Sequence, residues 1–120
     1  MTYQRNTISL LSKNFALRVI KLYKYLPEEK HEHIMSKQVY RSGTSIGANI
    51  AESRNAQSTA DYINKLSIAL KEADETMYWL ELLNESGTID VKQFESLSND
   101  LNIIIGTLIN IIKKLKERGE

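Results

Sequence analysis

The sequence predicts an all-α protein, an antiparallel up-down-up-down four-helix bundle. Three observations carry that expectation. Apolar residues recur in three- and four-residue steps in four segments of the 120-residue chain, and no segment alternates strictly like a strand. One proline and five glycines are too few turn-formers for a many-turned β protein. The breaks between periodic segments are short, and short connections join antiparallel neighbours. Length, with no internal repeat and no linker, gives one domain over residues 1–120. Helices of about 25 residues, rising about 1.5 Å per residue, make a rod roughly 35–40 Å long.

The first helix is expected over residues 9–26, on the stripe Ile8, Leu11, Phe15, Val19, Leu22 and Leu26. Pro27 ends it, because a residue before proline avoids the helical region. Pro27, Glu28 and Glu29 then suit the first turn of a second helix, which runs to Ser53 on Val39, Gly43, Ile46 and Ile50. After a break at residues 54–57, Ser58 and Asp61 form an N-terminal capping signal. The third helix carries Ile63, Leu66, Leu70, Ala73, Met77 and Leu80, and Gly87 suits its C-terminal cap. Asp90 with Gln93 is a second capping box. The fourth helix repeats Phe94, Leu97, Leu101, Ile104, Leu108, Ile111 and Leu115.

Composition narrows the function classes. No cysteine is present, which removes disulfides, thiolate metal sites and cysteine nucleophiles. Sixteen basic and fifteen acidic residues leave a net charge of +1, against a chain that coats nucleic acid over its whole surface. The N-terminus shows no secretory apolar region, and the longest apolar stretch, residues 101–112, is too short and interrupted to span a bilayer. A cytoplasmic protein with no membrane contact is the expectation.

Two helices carry more apolar surface than a monomeric bundle uses. On the third, Ile68, Glu72, Glu75 and Trp79 share a face roughly opposite the core stripe. Tryptophan is enriched at interfaces, although Trp79 would also serve to cover a neighbouring helix end. On the fourth, Ile105, Ile109 and Ile112 widen the stripe and Ile103 lies outside it, which invites self-association or a protein partner. On the second, Arg41, Ser45, Asn49 and Glu52 line one stripe among small residues, with Gly43 and Gly47 placed for close approach of another helix. With Glu72 and Glu75 that stripe makes either a buried charged network or a solvated polar face.

The run RSGTSIGANIAE at residues 41–52 resembles the signature of the four-helix-bundle proteins also called 23S rRNA-intervening-sequence proteins. The run IALKEADETMYWL at residues 68–80 is similar to a second signature of that family, and FALRV at residues 15–19 also fits. The chain departs from the pattern at Ser53, where the family often has glycine. The resemblance implies a bundle that assembles as a ring-like homopentamer with no established enzymatic activity. The family in turn resembles accessory proteins of diversity-generating retroelements, which bind a reverse transcriptase and nucleic acid through a basic surface. Carried onto this chain, Arg41, Ser45, Asn49, Glu52, Glu72 and Glu75 are the matching polar positions. They are read as a structural network that fixes register or subunit orientation. Gly43, Gly47, Ile68, Trp79, Ile103, Ile105, Ile109 and Ile112 are the candidate oligomer interface.

Catalytic and metal chemistry find little footing. A di-iron bundle needs two Glu-x-x-His motifs, and Glu28 with His31 supplies one. His31 and His33 are read as residues of a solvated connection. Glu72 and Glu75 have no accompanying nucleophile, and Gly43 to Gly47 lacks the lysine of a phosphate loop. No catalytic residue, metal or cofactor is expected. Two readings stand. The first is a non-enzymatic homo-oligomeric scaffold or adaptor. The second is an oligomeric nucleic-acid-binding accessory protein. It would use Lys13, Arg18, Lys21 and Lys24 of the first helix, with Arg5, and Lys113, Lys114, Lys116 and Arg118 of the C-terminus. Repetition of such a patch in an oligomer would raise avidity.

Overall fold

The computed structural model describes residues 2–118, with side chains from residue 7 onward. Four helices follow one another: α1 (Thr2–Lys30), α2 (Met35–Ser53), α3 (Thr59–Glu85) and α4 (Val91–Arg118). Among the described residues there is no strand. α1 packs on α2, α2 on α3 and α3 on α4, and α4 returns to α1. The contacts run in opposite senses along neighbouring helices. Tyr23 stacks on Tyr40, whereas Ser12 faces Gly47. Ser42 bonds to Thr76, whereas Glu52 pairs with Lys65. The molecule is 49 Å long and 22 by 19 Å across. It exceeds the expected length because α1, α3 and α4 have 29, 27 and 28 residues.

The helix boundaries follow local chemistry, with one correction. α1 does not stop before Pro27; it continues through Pro27 to Lys30, and α2 starts at Met35. The bias of a pre-proline residue is a preference. Leu26 is fully buried, and the core holds it helical. The chain leaves the helix at His31, which takes a left-handed φ of 54°, and the Glu32 amide donates back to the Leu26 carbonyl. The Glu32 carboxylate then accepts from the amides of Ile34, Met35 and Ser36 at 3.2, 3.0 and 2.7 Å. An acid from outside the helix thus satisfies the orphan donors of α2. Ser58 accepts from the Asp61 amide, as its spacing predicts. Gly87, at φ 79°, and Thr88 donate to the Asn84 and Leu83 carbonyls and close α3. Asp90 and Gln93 each accept from the other's amide at 2.8 and 2.9 Å.

The expected stripes of α1, α2 and α4 are the core, with Leu11 and Phe94 at its edge. Each buried Leu, Ile or Phe contributes about 1.5–3 kcal/mol, several times an exposed ion pair. α3 is turned relative to expectation. Its buried residues are Tyr62, Leu66, Ala69, Ala73, Thr76, Leu80 and Leu83, while Ile63, Leu70 and Met77 pack at the margin. Ala69, Ala73 and Thr76 are small, so they let α2 approach. The same smallness hides them from a count of large apolar residues.

Gly43 and Gly47 meet α1 of their own chain, which corrects their assignment to an interface between copies. A Cβ on Gly43 would lie 2.8 Å from Val19 Cγ2 and 3.0 Å from Cγ1. Valine is stiff at χ1, so its methyls cannot swing away cheaply. A Cβ on Gly47 would meet Ser12 at 3.5 Å, an ordinary contact. The two alanine substitutions should therefore differ in sign. Gly43→Ala is expected to lose about 1–3 kcal/mol through overpacking. Gly47→Ala should gain up to about 1 kcal/mol from helix propensity. Urea denaturation of both variants checks this, and shifts of the same sign would refute it.

Candidate functional site

Arg41 leaves α2 on the flank that faces α3. Its Nη2 donates to Glu75 Oε2 at 2.6 Å. Its Nη1 lies 3.5 Å from Glu72 Oε1, in ion-pair range but long for a hydrogen bond. Trp79 Nε1 donates to the same Glu75 oxygen at 3.1 Å. Spacings of three and four residues set Glu72, Glu75 and Trp79 on one flank of α3. The Glu72 side chain is 17% exposed, and its Oε1 is buried without a hydrogen-bond partner. Arg41 is 51% exposed. The cluster is thus a guanidinium laid over the α2–α3 seam with carboxylates beneath it. The hydrogen bond from Arg41, and then that from Trp79, hold the Glu75 carboxyl below its ordinary range. The same bond raises Arg41.

The remaining polar candidates have other partners. Ser45 Oγ donates to the Arg41 carbonyl at 2.6 Å and Asn49 Nδ2 to the Ser45 carbonyl at 2.9 Å, both along their own helix. Glu52 pairs with Lys65 at 3.0 Å. Beneath the cluster Thr76 Oγ1 donates to Ser42 Oγ at 2.9 Å, a buried bond that sequence reading missed. Ser42 lies one residue from Arg41 and Thr76 one from Glu75, which is the signal that was available. Ser53, the departure from the family pattern, is buried and donates to the Ile50 carbonyl.

The candidate interface residues divide. Ile112 is buried in the core of its own chain, and Ile105 and Trp79 pack against that core. Ile68 is half-buried. Ile103 and Ile109 stay 54% and 51% exposed. They are six residues apart and so about 120° apart around the helix. Ile109 borders a groove with Leu70 of α3. Ile103 follows Asp100 by three residues, on the flank toward α1.

Among the basic candidates, Arg18 is engaged. It donates to Asp100 Oδ2 and Ser96 Oγ, each at 2.7 Å, and so clamps α1 to α4. Lys13, Lys21 and Lys24 are exposed, as are Lys113, Lys114, Lys116 and Arg118. The Arg5 side chain lies outside the described residues. The antiparallel pairing of Arg18 with Ser96 and Asp100 puts Lys113, Lys114, Lys116 and Arg118 at one end of the bundle, beside the first turns of α1, whereas Lys13 lies near mid-length and Lys21 and Lys24 lie toward the other end. Glu28, His31 and His33 are exposed around the first connection. Among the described residues no helix is long and apolar enough to cross a membrane.

Arg41→Ala would leave Glu72 and Glu75 without their cation. The cost expected at pH 7 is about 1–2 kcal/mol, between exposed and buried ion pairs. A lowered Glu75 value makes its stabilisation complete above the unfolded carboxylate value of about 4.3, and it is lost as pH falls through the folded value. The gap between parent and variant should therefore narrow from pH 7 to pH 3 in urea titrations. Equal stability and unchanged oligomer size at pH 7 would refute the structural role.

Comparison with known proteins matches this architecture. The profile of the 23S rRNA-intervening sequence protein family matches residues 4–110. A crystal structure from Bacteroides thetaiotaomicron VPI-5482, described as a protein with unknown function from the S23 ribosomal protein family, is similar at a TM-score of 0.90. The two sequences are 55% identical, and the match covers 92% of this chain and 98% of that one. A search of curated proteins gives no match. Profile, fold and sequence identity agree that the chain belongs to the 23S rRNA-intervening sequence protein family.

Proposed function

We propose that the chain is a non-enzymatic, cytoplasmic scaffold or adaptor that works as a homo-oligomer, a pentameric ring. The exposure of Ile103 and Ile109 carries this reading. α4 already fills its share of the core, so these side chains add nothing to the lone bundle. Their placement on two flanks of one helix suits contact with two different neighbours. Head-to-tail contact of that kind generates a ring when the rotation closes. The number five comes from the family resemblance. The Arg41 cluster would then fix the angle of α2 and α3 that sets the closing rotation.

Light scattering coupled to size exclusion tests the assembly. The expected mass is about five times the 13.8 kDa of one chain. Ile103→Lys with Ile109→Lys should release monomers of unchanged helix content. A parent mass near that of one chain would overturn the reading.

A second reading, a nucleic-acid-binding accessory protein, is favoured by the exposed run Lys113, Lys114, Lys116 and Arg118 at the end of α4. Fluorescence anisotropy with labelled RNA separates the two. Affinity that falls steeply from low to physiological salt, and falls further in Lys113→Glu with Lys114→Glu, supports it. No binding at low salt removes it.

A further inference from the structure

A cleft of about 490 Å³ lies at the junction of α1 and α2, within the size range of small-ligand pockets. At its floor is Ser36, 1% exposed, whose hydroxyl has no hydrogen-bond partner. Burying an unpaired hydroxyl costs about as much as a lost hydrogen bond, and such a group in a folded protein calls for a partner. The other side-chain donors that line the cleft are Lys24 and the Tyr23 hydroxyl from α1, Lys37 from α2, and His33 from the connection. Among the described residues neither lysine belongs to an ion pair. Glu28 is the acid on the rim. The nearby Glu32 carboxylate is neutralised in part by the amides it caps and by the positive end of the α2 dipole. The N-terminus of α2 is therefore already occupied, and any ligand would be held by side chains.

From this geometry we infer that the cleft is a binding site for a small phosphomonoester. Its phosphate takes the Ser36 hydroxyl and the Lys24 and Lys37 ammonium groups, and its organic part lies against Tyr23 and Pro27. An oxyanion is the partner that satisfies a buried hydroxyl and two ammonium groups together. The cleft is larger than a phosphate needs, and Tyr23 with Pro27 gives it an apolar wall. Tyr23 is braced from behind by its stack on Tyr40, with centroids 4.6 Å apart. None of these residues belongs to the polar cluster, to the candidate interface on α4 or to the basic run that ends α4. Lys24 alone is shared with the basic candidates.

Calorimetric titration of the full chain at low salt, with inorganic phosphate and with phenyl phosphate, tests the site. Saturable one-to-one binding is expected for both, with phenyl phosphate several-fold tighter. Ser36→Ala should weaken phenyl phosphate binding about tenfold, the worth of one hydrogen bond to a charged group, with thermal stability kept or raised. Lys24→Gln with Lys37→Gln should abolish binding while leaving the circular dichroism spectrum unchanged. No saturable binding of phenyl phosphate, or full affinity in either variant, would overturn the site. Equal affinity for the two probes would overturn the phosphomonoester in favour of the bare ion.

Discussion

The backbone of α2 approaches α1 so closely at Gly43 that not even a methyl group fits beside Val19. The rest of the bundle is arranged around that approach. A helix flanked by two neighbours must be narrow on both sides, and α2 is: Gly43 and Gly47 face α1, and Ser42 faces α3. α3 answers with Ala69, Ala73 and Thr76. Larger apolar side chains fill the remaining volume, among them Phe15 and Leu26 of α1 and Leu101, Ile104 and Leu108 of α4. Glycine weakens a helix by about 1 kcal/mol relative to alanine. At Gly43 the tight seam offsets that loss. At Gly47 the space for a methyl group is already there.

Charges are laid over this seam. They do not build it. Arg41 bridges α2 and α3 above the Ser42–Thr76 hydrogen bond, and Arg18 bridges α1 and α4 from the opposite side. Both are arginines with more than one acceptor, so each fixes an angle as well as a distance. Glu72 is the exception, because its buried oxygen gets only a long contact from Arg41. Such a group does little for stability.

Much of the fold was legible because it is written in local rules. Ser58 with Asp61, Gly87, and Asp90 with Gln93 are short-range devices, and each acts where its spacing put it. Misreadings arose where a distant contact overrode a local preference. Leu26 is buried by other helices, and that keeps the chain helical across Pro27. The cap on α2 comes from Glu32, outside the helix, so no residue at the cap position signals it. The turn of α3 depends on small residues, which periodicity in large apolar side chains does not register. At the candidate site, shared helical faces found Arg41, Glu72 and Glu75. Spacing alone could not say that Ser45 and Asn49 would bond along their own backbone.

Trp79 is the chain's one tryptophan. Its indole is hydrogen-bonded to the carboxylate that Arg41 holds, and it rests edge-on against Tyr78. Every photon of indole emission therefore comes from one point on the α2–α3 seam, with no second fluorophore of its kind to dilute it. A carboxylate beside the ring and an ordered hydrogen bond make its colour and lifetime sensitive to that spot. The protein carries a built-in optical gauge of whether its second and third helices are in register.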